Sequence, residues 1–175
     1  VAQIPDKLVN FRCYGGAGGL EFLGLTDIEL PNFEAMTETI AGAGIAGEYD
    51  SPVLGHFTSQ MIKLKWRATT SPGLGLLTPI HHALDCRGSI QIQDPMLGVL
   101  VTKPLNVFVR GQVKNLTLGK LEPGKVMDSE CEIECASIRI VLAGVPEIEL
   151  DKFNMVFKVK GVDYLRATRI DLGGV

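Results

Sequence analysis

The clearest signal along the chain is alternation. In "QMIKLKWRA", Ile62, Leu64, Trp66 and Ala68 occupy one set of positions, and Lys63, Lys65 and Arg67 the other. A period of two predicts a strand with one apolar and one polar face. "KLVNFRCY" and "LEFLGLTDIEL" flank "GGAGG" and predict strands over 8–14 and 20–30 with a flexible hairpin connection between them. "SIQIQ" and "LNVFVRGQV" predict two more strands, joined through "DPMLG". "SECEIECASIRIVL" alternates but changes phase near Ala136, which predicts a bulge. "NMVFKVKGVDYL" predicts a strand that ends in a turn at Gly161, with a short helix after it. Only "NFEAMTETIA" has helical spacing. Phe33, Met36 and Ile40 form a stripe, Asn32 after Pro31 is an N-cap candidate, and Glu34 suits a first turn, so a helix is expected over 32–41.

Strands outnumber helices, and no βαβ alternation appears. The expected fold is mainly β, an antiparallel β-sandwich or barrel with one packed α-helix. No repeat or linker interrupts residues 1–175, so a single domain is expected. Further strands fill 56–160, and a C-terminal tail covers 161–175.

The stretch "GAGIAGE" raises the question of chemistry, because Gly42, Gly44 and Gly47 fit G-x-G-x-x-G. A dinucleotide turn needs a strand before it, a helix after it, and an acid about 20 residues on. On the helix reading of 32–41 the glycines end a helix instead. Pro52 comes too early for a phosphate-binding helix, and "KLKWRAT" downstream has no acid. No binding of NAD, FAD or ATP is expected. A nucleotide-binding enzyme using Gly42–Gly47 is thus the remote alternative, and a monomeric sandwich binding module the nearer one.

Composition narrows the picture further. Apolar residues make up 46% of 175, the formal net charge is only -3, and the mean hydropathy is +0.21. That is greasy for a small monomer and suggests apolar surface covered by partners. The weak charge offers no general attraction for nucleic acid or anionic membrane. The longest uncharged run, "ATTSPGLGLLTPIHHAL", is broken by prolines, so no membrane anchoring is expected. No basic and apolar leader opens the chain, so no signal peptide is expected.

Candidate sites are few. Cys131 and Cys135 are four strand residues apart, about 13 Å, against the roughly 7 Å limit between Cα atoms of a disulfide. Reduced, partly buried thiols are expected for the four cysteines. "HHALDC" places His81, His82 and Cys86 close in sequence, but at no established ligand spacing, so no metal is expected. G-x-S-x-G, H-E-x-x-H and P-loop patterns are absent from the sequence. Neither catalytic residues nor a cofactor are expected. Glu130, Glu132 and Glu134 alternate along one strand face, and Lys63, Lys65 and Arg67 along another.

The chain resembles the major tail tube proteins of contractile-tailed bacteriophages, a family that includes the tubes of phage-tail-like bacteriocins. The stretches that carry the resemblance are "IPDKLVNF", "ELPNFEAMTETIAGAGIAGEYDSPVLGHF", "LDCRG", "VRG" and "EIELDKFNMVFKVKGVDYLRATRIDLG". The resemblance implies a structural protein whose hexameric rings stack into the inner tube of a contractile tail or injection particle. It implies a channel for DNA or effector passage and no enzymatic activity. Implied partners are further copies of the chain, then the tail sheath, baseplate and tail-terminator proteins, with the tape-measure protein and transiting DNA in the lumen. The implied location is the virion tail or a tail-like particle, assembled in the host bacterial cytoplasm.

In that setting 42–55 is expected to be an assembly loop that reaches a neighbouring subunit. Gly42, Gly44, Ile45, Gly47, Asp50, Pro52, Val53 and Leu54 are its contact residues. The Glu130, Glu132 and Glu134 face, rather than the Lys63, Lys65 and Arg67 face, is expected to line the lumen as acidic rings.

Overall fold

The computed structural model describes residues 3–16, 21–96 and 98–174. The elements run β1 (Ile4–Gly15), β2 (Glu21–Phe22), β3 (Asp27–Glu29), β4 (Ala35–Ala41), β5 (Glu48–Phe57) and β6 (Met61–Trp66), then α1 (Ser71–Gly75). They continue with β7 (His82–Asp94), β8 (Val99–Thr117), β9 (Ser129–Leu142), β10 (Val145–Asp151), β11 (Val156–Val159), β12 (Val162–Asp163) and α2 (Arg166–Asp171). One antiparallel sheet has the order β12-β11-β10-β9-β8-β7-β1-β2, with β6 also on β9 and β3 on β6. Among the described residues β4 and β5 pair only with each other, as a separate two-stranded sheet. Among the described residues no helix is long and apolar enough to cross a membrane.

Alternation builds the core. Ile62, Leu64 and Trp66 of β6 are buried, as the period of two requires. They meet Leu84 and Cys86 of β7, Val107 and Val109 of β8, Cys131, Ile133, Cys135 and Ile138 of β9, and Leu150 of β10. Each fully buried aliphatic side chain of this set contributes about 1.5–3 kcal/mol. The Trp66 indole N–H donates to the Leu23 carbonyl at 2.7 Å, so the one polar atom of the ring is satisfied inside the core. Ala68 lies past the end of β6 and is exposed.

The phase change at Ala136 is a bulge. Arg110 faces Ser137 but Gly111 faces Cys135, so Ala136 is an extra residue in β9. Before it Cys131, Ile133 and Cys135 point inward, and after it Ile138 does. β9 also changes partner here. Residues 129–134 pair with β6, and residues 137–142 with β10. The bulge therefore bends the sheet so that both halves share one core.

The strand expected over 20–30 is divided into β2 and β3. Between them Leu23 turns fully into the core and Gly24 takes a φ of 62°. Leu20, and most of the "GGAGG" connection, lie outside the described residues, but β1 and β2 do pair as a hairpin through Tyr14 and Phe22. The hairpin joined at "DPMLG" is β7–β8, in register from His82–Gly111 to Asp94–Val99.

The helix expected over 32–41 is not formed. Its residues are extended as β4, which pairs with β5 from Ala41–Glu48 back to Thr37–Pro52. A short helix is held mainly by packing of its apolar face, and Met36 and Ile40 have no such face to join, being 49% and 41% exposed. Phe33 packs edge-on to Phe57 at 5.6 Å, and the Asn32 carbonyl accepts from the Gln60 amide at 2.8 Å instead of starting a helix. A paired strand wins because β5 is available and Thr37, Thr39 and Ile40 are β-branched.

The packed helix lies elsewhere, in "SPGLGLLTP". α1 starts at Thr70, whose hydroxyl accepts from Gly73 N at 3.2 Å, and Pro72 sits in its first turn. It delivers Leu76 into the core, fully buried. The short helix expected after Gly161 is α2.

Candidate functional site

The eight residues expected in a subunit contact are brought together on one hairpin arm, and all of them are exposed. Gly42, Gly44, Ile45 and Gly47 form its tip. Asp50, on β5, accepts from the Thr39 hydroxyl at 2.7 Å, and Pro52 faces Thr37. Val53 and Leu54 lie where β5 bulges away from β4, because the next pair after Thr37–Pro52 is Ala35–Phe57. They are 45% and 57% exposed.

The glycines have a physical reason to be there. Gly42, Gly44 and Gly47 have φ of 148°, 95° and 115°, conformations that side-chain-bearing residues rarely adopt. A Cβ on any of the three would meet nothing within 4 Å. The glycines serve backbone conformation, and within the subunit no close approach demands them. The dinucleotide fingerprint fails for a different reason than the helix reading supposed. A strand does enter the glycines, but a second strand leaves them, so there is no helix N-terminus to hold a pyrophosphate.

The arm is anchored at its root. Phe57 stands between Phe33 at 5.6 Å and Phe157 at 5.1 Å, and Phe157 meets Tyr164 at 6.0 Å. Gly55, with φ of 67°, lies over buried Leu165, where a Cβ would come within 2.7 Å of the leucine methyl. Beyond the root, Ile40, Ile45 and Tyr49 remain open to solvent. From Pro31 to Ile62 the chain carries Glu34, Glu38, Glu48 and Asp50 but no lysine or arginine. An isolated two-stranded hairpin is marginal in water. This one exposes apolar and acidic side chains together, a combination suited to a partner surface that is apolar and basic.

α2 supports the root through Leu165 and is tied down by one ion pair. Arg169 reaches both carboxylate oxygens of Asp163 and the Met155 carbonyl. The hydrogen bond from Arg169 holds the Asp163 carboxyl below its ordinary value near 3.8. A depressed carboxylate stabilises the fold above its unfolded value, and that contribution is lost as pH falls through the folded value. Helix signal from the C-terminal segment should therefore weaken on the acid side of pH 3.8, ahead of the core. In Asp163→Asn the acid-induced step should be absent, as followed by amide exchange at α2.

The glutamates and lysines are not on opposite faces, contrary to the expectation. Lys63 faces Glu132 and Lys65 faces Glu130 across the β6–β9 ladder, and directly opposed residues point the same way. Lys63 reaches Glu132 at 3.3 Å and Glu130 at 3.9 Å, and Lys65 reaches Glu29 at 2.6 Å. Glu134 accepts from the Ser59 hydroxyl at 2.6 Å and lies 3.7 Å from Lys152. The result is a solvated ladder in which hydrogen bonding to Glu132 raises the Lys63 pKa and hydrogen bonding to Lys65 lowers that of Glu29. Pairs this exposed add little stability. Their effect is to lower the net charge of the face. Arg67 lies past the end of β6, outside the ladder.

Two further surfaces carry no obvious sequence mark. β1 has β7 on one side, but its β2 partner covers only Tyr14 and Gly15, which leaves an open outer edge toward Ile4. Register shifts around Asp6 and Val9 interrupt that edge, a device that blunts unwanted pairing. The tip of the β7–β8 hairpin exposes Met96, Val99 and Leu100. Only the apolar content of "IPDKLV" and "DPMLGVLV" hinted at them. His82 is buried with its Nε2 at 3.0 Å from the Thr78 carbonyl, and His81 lies edge-on to Phe153. The two rings thus engage different partners.

The family model described as Phage tail tube protein FII matches residues 5–173. The tail tube protein of Escherichia phage P2 is 28% identical over 185 residues, which span 97% of this chain and 98% of that protein. Among solved structures, the sheath–tube complex of the PVC extracellular contractile injection system contains a chain 14% identical, with a TM-score of 0.48 over 79% of this chain and 90% of that one. The sheath/tube terminator of the same system is 13% identical, with a TM-score of 0.48 over 81% and 99%.

Proposed function

The chain belongs to the phage tail tube protein FII family, and from that membership we propose that it is a structural subunit whose hexameric rings stack into a hollow tail tube. The observation that carries the reading is the β4–β5 arm. A hairpin that leaves Ile40, Ile45, Tyr49 and Leu54 exposed gains its stability when a second copy covers it. An arm that docks on a different surface of the next copy makes a head-to-tail contact, and such contacts give rings or filaments according to whether the rotation closes. The open edge of β1 offers a second contact, by which sheets of neighbouring copies can join and remove their edges.

The tube conducts DNA or an effector inside a contractile sheath. Its working partners are copies of itself, the sheath, baseplate and tail-terminator proteins, and the tape-measure protein in the lumen. The role needs shape and smooth walls, and it calls for no catalytic group. For the lumen we retain the β6–β9 face, in altered form. Carboxylates from Asp27, Glu29, Glu130, Glu132 and Glu134 outnumber the amines of Lys63, Lys65, Lys114 and Lys152 around it. The lysines are engaged, so they offer little to a passing phosphate backbone, and the residual charge repels it.

Electron microscopy of the purified protein tests both statements. Rings or tubes are expected, with the Glu130–Glu134 face toward the axis. A protein that stays monomeric at high concentration would favour the binding-module alternative. A tube map with these glutamates on the outer wall would remove the lumen assignment and leave the tube itself standing.

A further inference from the structure

Two of the four cysteines meet in the core. Cys13 on β1 and Cys86 on β7 are directly opposed in the ladder, 1% and 6% exposed, with their sulfur atoms 2.7 Å apart. The Cys13 carbonyl accepts from Leu23 N at 3.1 Å, on the side away from β7. The pair therefore occupies a non-hydrogen-bonded site, where opposed Cα atoms approach to about 4.5 Å and side chains are closest. A disulfide spans Cα separations of about 4.4–6.8 Å, so the backbone can take one without rearrangement. Cys131 and Cys135 cannot do the same, being about 13 Å apart along one strand.

We propose that Cys13 and Cys86 form an oxidative cross-linking site, at which a peroxide-class oxidant closes an intrachain disulfide that clasps the N-terminal strand to β7. The oxidant has a way in. A groove of about 130 Å³ between β1, β3 and β8, lined by Leu8, Phe11, Ile28 and Leu105, has Cys86 in its wall. The Cys86 sulfur, on losing its proton, attacks one peroxide oxygen, and the O–O bond breaks with release of the first water. The sulfenic acid that results is attacked by the Cys13 sulfur, which forms the S–S bond and releases the second water. Two thiols supply the two electrons, and the peroxide is reduced to two waters. The hydrogen bond with Cys13, and then burial, push the Cys86 thiol above its ordinary value, unlike the depressed value of an activated catalytic thiol.

The clasp has a mechanical consequence. Among the described residues β1 has an open outer edge, and toward the N-terminus its strand pairing is with β7 alone. A bond across that ladder ties it covalently to residues 73 positions away. This chemistry does not depend on assembly, so failure to form tubes would leave it intact.

The test treats the purified, folded protein with hydrogen peroxide, then unfolds and alkylates it for peptide mass mapping. Alkylatable thiols should fall from the four of the reduced chain to two, with the Cys13 and Cys86 peptides joined and released again by dithiothreitol. In Cys86→Ser, Cys13 should stay alkylatable, while Cys131→Ser should still form the link. Should a variant fail to fold, the wild-type map decides alone. Four alkylatable thiols after treatment, a link between different chains, or sulfinic Cys86 without a link would each overturn the assignment.

Discussion

Replacing Gly111 with valine should leave little folded protein. A Cβ at this position would collide with the Glu134 carbonyl oxygen and lie 2.9 Å from the Ile133 side chain. The first of these is backbone, so no rotamer change relieves it. Gly111 stands opposite the Ala136 bulge, faces His82 across β8–β7, and lies between Val109 and Val113, both packed in the core. Moving the strand aside would break pairing on both edges. Clashes of this kind fall in the class that costs more than about 4 kcal/mol, set against a total stability of about 5–15 kcal/mol for a typical domain. Gly111→Ala should already lower the melting temperature sharply. Gly75→Ala, where a Cβ meets nothing within 4 Å, should melt like the wild type. A Gly111→Val protein with wild-type melting, followed by circular dichroism, would show that the two strands are not as close as described.

Gly44→Val should behave in the opposite way, folding normally but not assembling. The φ of 95° at Gly44 makes a β-branched residue strained there, by about 1–3 kcal/mol. The strain is confined to an exposed turn, away from the buried core of the large sheet. The loop should rearrange, and with it the arm that we assign to the neighbouring copy. Ile40→Asp makes the same point without touching the backbone, since it places a charge on the exposed face shared with Tyr49. Burying an unpaired charge at an interface costs several kcal/mol, and the cost recurs at every subunit of a ring. Both variants should give wild-type melting curves and no rings or tubes by electron microscopy. Normal tubes from both would mean that the arm is not the contact, and loss of the fold would mean that it is part of the core.

Features that depend on a residue and its near neighbours were legible. The alternation of β6, the β7–β8 hairpin, the phase change at Ala136 and the turn at Gly161 all stand in the structure as the pattern implied. The segment 32–41 misled because a stripe at helical spacing is ambiguous over so short a run. Phe33 was part of the stripe but packs at the root of the arm with Phe57. The glycine fingerprint marks a turn, and the elements around it are two strands where the stripe implied a helix. α1 went unseen because its five residues, "SPGLG", include two glycines and a proline, and its capping by Thr70 becomes meaningful only once Leu76 has a core to enter.

By itself, then, the sequence determined that this chain is β-rich, where most of its strands run, which side chains of β6 share a face, and, through its family stretches, the family to which it belongs. Periodicity and turn chemistry are local, and they are written in consecutive residues. Which strand lies beside which was decided only in three dimensions. That pairing put the Glu130 and Glu132 carboxylates beside Lys63 and Lys65, gave β4 a partner in β5, and set Cys13 against Cys86. The lysine–glutamate and cysteine placements depend on registers between segments far apart in the chain, 73 residues for the cysteines. Such registers are set by the joint packing of the whole sheet, and no window of the sequence contains it.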